Sequence, residues 1–179
     1  MIDLVRSSPS VRVWSSNAAT AKRTAAAAKR AGREAKDGLV AARVDTHKAA
    51  IVEVNCETDF VARTDDFKNL SLWALQVVYD QGEKVVETAA ITQRVAEATG
   101  KIGEKILVRR GRVLESKDGA IFSYIHSNQK LGVLVELFVS KPASRKEEVF
   151  QELGKAIAMQ VAASNPICVG ASNPHTIAQ

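Results

Sequence analysis

Val54-Asn55-Cys56-Glu57-Thr58-Asp59-Phe60-Val61-Ala62-Arg63 closes a β-like run that begins at Ala49, and it sets two acids, a threonine and a large apolar ring where a strand should end. Thr58 is a residue type whose hydroxyl caps a short helical turn, and Asp59 just after it sits where the helix dipole favours negative charge. Phe60 then opens a tight turn. A ring there is either a plug over the sheet or a probe aimed outward; most phenylalanines are buried, and the local sequence leaves both readings open.

Working outward, Leu39 to Val44 and Ala49 to Val54 read as two strands joined by the polar turn Asp45-Thr46-His47-Lys48. Ala50, Val52 and Val54 point one way, while Ile51, Glu53 and Asn55 point the other, so one face is expected to be core. Downstream, Asp65-Asp66 opens a helix with Phe67, Leu70, Ala74 and Val77 at helical spacing, ended by Gly82. A second helix spans Thr88 to Thr99, with Ile91, Val95 and Ala98 on a stripe and Gly100 at its end. Trp73 reads as core rather than as a ligand platform.

The remainder has the pattern of a meander followed by a helix. Lys105 to Leu114 is a β run with the basic centre Arg109-Arg110-Gly111-Arg112, and Lys117-Asp118-Gly119 is a hairpin signal. Ala120 to His126 alternates, with Phe122, Tyr124 and His126 on one face and Ile121 and Ile125 on the other. Gly132 to Val139 makes the next strand. A helix from about Arg145 to Ala163 should bury Phe150, Leu153, Ile157 and Val161, and Pro166 prevents its continuation. Strands in hairpins and helices in groups define an α+β class, an antiparallel sheet packed with helices.

Four regions follow. Residues 1–17 lack a period and read as a poorly ordered lead; 18–38 form an Ala-rich basic helix closed by Asp37-Gly38; 39–169 are the α+β core; 170–179 are a tail. The helix gathers Lys22, Arg23, Lys29, Arg30, Arg33 and Lys36. Its basic face is either a solvated surface or a contact for RNA or an acidic partner.

At 179 residues, 46% hydrophobic and 25% charged, the chain has the make-up of about one globular domain. Cys56 and Cys168 stand far apart and outside ligand spacing, which fits a reducing compartment and argues against a disulfide framework or a zinc site. No apolar run approaches the ~18 residues of a membrane span. The first sixteen residues carry Asp3 and no long apolar core, unlike a secretory signal. His47, His126 and His175 have no nucleophile or carboxylate partner within a motif, and there is no Gly-rich phosphate loop. Glu57 and Asp59, at i and i+2, are a weak metal pair. No cofactor, metal or covalent catalysis is expected, and a binding or regulatory protein is.

The central stretch, with Lys29-Arg30-Ala31-Gly32-Arg33, Gly38-Leu39-Val40, Gly100-Lys101-Ile102-Gly103-Glu104, Arg109-Arg110, Tyr124-Ile125-His126, Leu131-Gly132-Val133-Leu134-Val135 and Ile157-Ala158-Met159-Gln160-Val161-Ala162-Ala163, resembles the translation elongation factor Ts family in the family's order, from about Thr24 to Val169. The resemblance implies a guanine-nucleotide exchange factor for elongation factor Tu, acting in the cytoplasm or in an organelle. It implies a partner-binding set of Thr58, Asp59, Phe60, Val61, Tyr124 and His126. Asp59 and Phe60 would reach into the GTPase near its nucleotide-bound magnesium; His126 is otherwise an ordinary sheet residue.

Three departures from the family pattern stand out. Met1 to Arg23 has no counterpart of the family's small three-helix N-terminal unit, which normally adds contact with the GTPase. Gln129 stands where a glycine is common, and Thr64 replaces a usual asparagine. A second copy of the chain could complete the binding surface. The rival readings are an RNA- or ribosome-associated protein using the basic helix with Arg109, Arg110 and Arg112, and a remnant of the family that no longer drives exchange; a membrane partner is not expected and nucleic acid is the lesser expectation.

Overall fold

The computed structural model describes residues 5–6, 11–17, 34–139 and 142–166. In chain order these form β1 (Val5–Arg6), β2 (Val11–Asn17), β3 (Asp37–Val44), β4 (Lys48–Cys56), α1 (Asp59–Ala62), α2 (Asp65–Gln81), α3 (Ala89–Ile102), β5 (Leu107–Glu115), β6 (Gly119–Ile125), β7 (Leu131–Phe138) and α4 (Glu148–Ser164). Short 3₁₀ turns at Glu83–Glu87 and Pro142–Lys146 precede α3 and α4. All pairing is antiparallel, so the fold is α+β as the pattern of hairpins and grouped helices requires.

The described residues form two sheets rather than one, with strand orders β3-β4-β5 and β1-β2-β7-β6. The expected hairpin at Lys117-Asp118-Gly119 is a change of sheet: β5 pairs with β4, and β6 pairs with β7. The turn is tight because buried Ser116 accepts a hydrogen bond from the Gly119 amide (2.8 Å) and donates its own amide to the His47 carbonyl (2.8 Å). A local turn signal fixes a reversal but not the strand that the emerging chain will pair with.

The second sheet explains why β4 is buried on both faces from Ala49 to Cys56, where one core face was expected. Ala50, Val52, Val54 and Cys56 pack with Phe67, Leu70, Ala74 and Val78 of α2 and Ile91 of α3. On the opposite face Ala49 and Ile51 meet Val40, Ile121 and Leu134, which fill the space between the sheets. The far face of the second sheet, with Phe122, Val133, Val135 and Leu137, packs on α4. The layers therefore run helices, sheet, sheet, helix.

Other expectations shift by a turn or a face. Val11–Asn17, read as part of an unordered lead, pairs with β7 along its whole length. Asp37 and Gly38, read as the close of the basic helix, begin β3, and residues 34–36 before them are not helical; the rest of that expected helix, residues 18–33, lies outside the described residues, as does the tail after 166. The second helix passes Gly100 and ends at Gly103, whose left-handed φ of +84° makes it the residue that can leave the helix. Leu153 is 51% exposed, and Gly154 and Ala158 are buried in its place. The cause is close approach, since a Cβ on Gly154 would lie 2.3 Å from the Phe122 ring.

Candidate functional site

Strand β4 ends at Cys56, and the chain turns into α1 within two residues. Thr58 has the extended backbone of an N-cap, and its Oγ1 accepts from the Val61 amide at 3.4 Å. Val61 is packed against the core and Ala62 is buried in it, so the turn is rooted on one side. Phe60 lies on the other side and is 78% exposed. The geometry decides between the two readings of the ring: it is not a plug over the sheet.

Asp59 holds Arg63 across one helical turn (2.8 Å), while Glu57 accepts the Lys105 amide (2.8 Å). The two carboxylates therefore face different partners and do not form a pair for a metal. Thr64, the departure from asparagine, caps α2: its Oγ1 accepts from the Phe67 amide (3.4 Å) and donates to the Val61 carbonyl (2.8 Å). Threonine and asparagine both serve at this position because both offer the cap an oxygen. The Cys56 thiol is wholly buried and donates to the Thr58 carbonyl (3.1 Å). Burial, aided by the charges of Glu104 and Asp37, pushes its pKa up to about 12, so it is a neutral packing group and not a nucleophile.

Glu104, in the loop after α3, receives Thr58 Oγ1 at 2.6 Å on one oxygen, and the Thr58 and Glu57 amides at 3.0 and 3.1 Å on the other. Residue-by-residue reading missed this carboxylate. It lay within the block Gly100 to Glu104, but its partners are 46 and 47 residues upstream, beyond the reach of any periodic signal.

Tyr124 and His126 lie at the other sheet's end. The tyrosine hydroxyl and His126 Nδ1 are 2.9 Å apart, and His126 is exposed. The loop that follows is clamped to β3: Val40 donates its amide to the Gln129 carbonyl (2.6 Å), and Lys130 pairs with Asp37. Gln129 has φ +56°, a left-handed backbone that glycine adopts at no steric cost. Asp37 also stands opposite Cys56 in the β3–β4 register, so the Phe60 turn and the His126 loop occupy the same end of the molecule. A cleft of about 630 Å³ is lined by Asp45, His47, Phe122, Arg145 and neighbours, and none of the six expected contact residues lines it. Two arginines of the basic run of β5 are paired within the fold: Arg110 binds buried Glu53 (2.6 Å) and Arg112 binds the partly exposed Glu83 (2.7 Å).

The site is thus a rooted turn that presents one apolar ring, with a second exposed loop at the same end of the molecule. The elongation factor TS family model matches residues 57–175. Over 166 residues the chain is 42% identical to the elongation factor Ts of Prosthecochloris aestuarii, covering 84% of this chain and 56% of that one. It is 45% identical over 155 residues to that of Methylococcus capsulatus (80% and 50%) and 44% over 158 residues to that of Clostridium tetani (81% and 51%). The chain belongs to the elongation factor Ts family, a family of translation elongation factors. It spans about half the length of the curated relatives it matches. No helix among the described residues is long and apolar enough to cross a membrane.

Proposed function

We propose that this chain promotes release of GDP from elongation factor Tu in the bacterial cytoplasm, without covalent chemistry. The observation that carries the reading is Phe60, a large ring held 78% exposed on a turn whose neighbours are packed in the core. Magnesium binds with strict octahedral geometry, so a ring that displaces an element of the GTPase beside it weakens nucleotide binding. Asp59 and Arg63, at the rim of the turn, supply polar contact. Exchange follows from reciprocity: the factor lowers nucleotide affinity as much as nucleotide lowers the factor's.

A shift of ~10⁴ in nucleotide affinity needs about 5.5 kcal/mol of differential binding. A single ring does not supply that, and a specific interface of about 800 Å² per partner does. Tyr124 and His126, at the same end as Phe60, are the second contact in this reading. The RNA-associated alternative has lost part of its support, because Arg110 and Arg112 are engaged within the fold.

The test is release of a fluorescent GDP analogue from elongation factor Tu with increasing amounts of the chain. Acceleration should saturate, and Phe60→Ala should reduce it at least about tenfold, the scale of a central contact residue, while thermal stability changes little. No acceleration by the folded chain, or full activity in Phe60→Ala, overturns the reading.

A further inference from the structure

We propose that Glu104 is a positioning residue for the Phe60 turn, fixing from a distant loop the direction in which the ring is presented. This rests on the exchange reading for its functional consequence, but its structural part stands on geometry alone. Three donors from two consecutive residues converge on one carboxylate: the Glu57 and Thr58 amides at 3.1 and 3.0 Å, and Thr58 Oγ1 at 2.6 Å. An ionised carboxylate is an acceptor at both oxygens and meets all three donors; a glutamine offers one acceptor oxygen. Hydrogen bonds to a charged acceptor are also roughly twice as strong as neutral ones.

The hydroxyl of Thr58 links this anchor to the cap. By donating to Glu104 it is oriented with its lone pairs toward the Val61 amide, which it accepts at 3.4 Å. Glu104 is itself fixed by its flanks. On one side Gly103 ends α3 with its amide on the Thr99 carbonyl (2.9 Å); on the other Ile106 is buried in the core and donates to Thr99 Oγ1 (3.4 Å). Glu57 returns the bond by accepting the Lys105 amide (2.8 Å), so the strand end and the loop are tied in both directions. Without Glu104, Val61 and Ala62 still root the turn, but the Glu57 and Thr58 amides lose their acceptor and the ring samples several directions.

A mobile ring must be ordered when the partner binds, and that cost appears in affinity rather than in what the seated ring does. In Glu104→Ala the concentration of chain giving half-maximal GDP release should rise about tenfold, with the saturating rate changed less than about twofold. In a Phe60→Ala background the same substitution should have almost no further effect, because both act through one ring. In the free chain, amide exchange at Glu57 and Thr58 should accelerate at least about tenfold while the thermal midpoint holds. Glu104→Gln, which keeps the shape, should give intermediate values of each and covers the case of an alanine variant that does not fold. Unchanged amide exchange in Glu104→Gln, or full additivity with Phe60→Ala, overturns the proposal. A parent chain that does not accelerate release at all defeats the exchange reading, and amide exchange still decides the role of Glu104.

Discussion

Phe60 and the two residues after it show how one turn separates presentation from anchorage: the ring is outside while Val61 packs against the core and Ala62 is buried in it. Next to them Cys56 carries a consequence of burial that can be measured. Its folded pKa is about 12 against an ordinary 9.0, so the folded chain keeps a proton that the unfolded chain gives up. The stability this represents is fully present below about pH 9 and declines as pH rises towards 12. Denaturant titrations should show a steeper loss between those limits for the parent than for Cys56→Ala. In a Cys168→Ser background, a disulfide reagent at pH 8 should react with the folded chain at least about a hundredfold more slowly than with the unfolded chain, since attack waits on opening. Gln129 is the opposite case, a residue at some conformational cost. With φ at +56°, replacement by glycine relieves a left-handed backbone, and Gln129→Gly should raise unfolding free energy by a few tenths to about 1 kcal/mol. A clear loss in a denaturant titration would mean that the glutamine side chain contributes something glycine cannot.

Among the elements, α4 shows where local preference and packing oppose each other. Gly154→Ala gains about 1 kcal/mol in helix propensity, but the new methyl would sit 2.3 Å from the Phe122 ring, and overpacking of this kind costs about 1–3 kcal/mol. A net loss is expected in thermal unfolding, with the sign reversing in a Phe122→Leu background where the ring is gone. The same contact explains what the sequence left hidden. Periodicity located β3, β4, α2 and β7 within a few residues, because alternation and helical spacing are local properties. It put Leu153 on the buried stripe because a glycine carries no apolar signal, although the space-saving residue is the one the sheet approaches. The change of sheet after β5 was equally invisible, since pairing partners are chosen across the whole chain. Of the candidate site, the cap at Thr58 was legible from residue type; the choice between a buried and an exposed Phe60 was not, and neither was the carboxylate that Glu104 brings to it from a distant loop.

At the scale of the whole molecule, the apolar layer between the sheets lies between the two helical layers and should make them unfold together. Leu134 is fully buried there with Val40, Ile51 and Ile121. Leu134→Ala should cost about 2–5 kcal/mol, the range for truncating a buried leucine. Unfolding followed by Trp73 fluorescence in a Trp14→Phe background, which reports the α2 layer, should coincide with loss of far-UV circular dichroism in parent and variant alike. Two separated transitions would show that the layers on either side of the inter-sheet core unfold independently.

Strand β4 is buried along both faces and hydrogen-bonded on both edges, and the Phe60 turn is mounted directly on its end. In mechanical terms a contact that displaces its partner behaves as two springs in series, and most of the movement goes to the softer one. A tip carried by a long surface loop would bend and leave the target where it was. Fixed to a strand packed on both faces and paired on both edges, this tip has little room to yield, so in the proposed exchange step the deformation should fall on the GTPase.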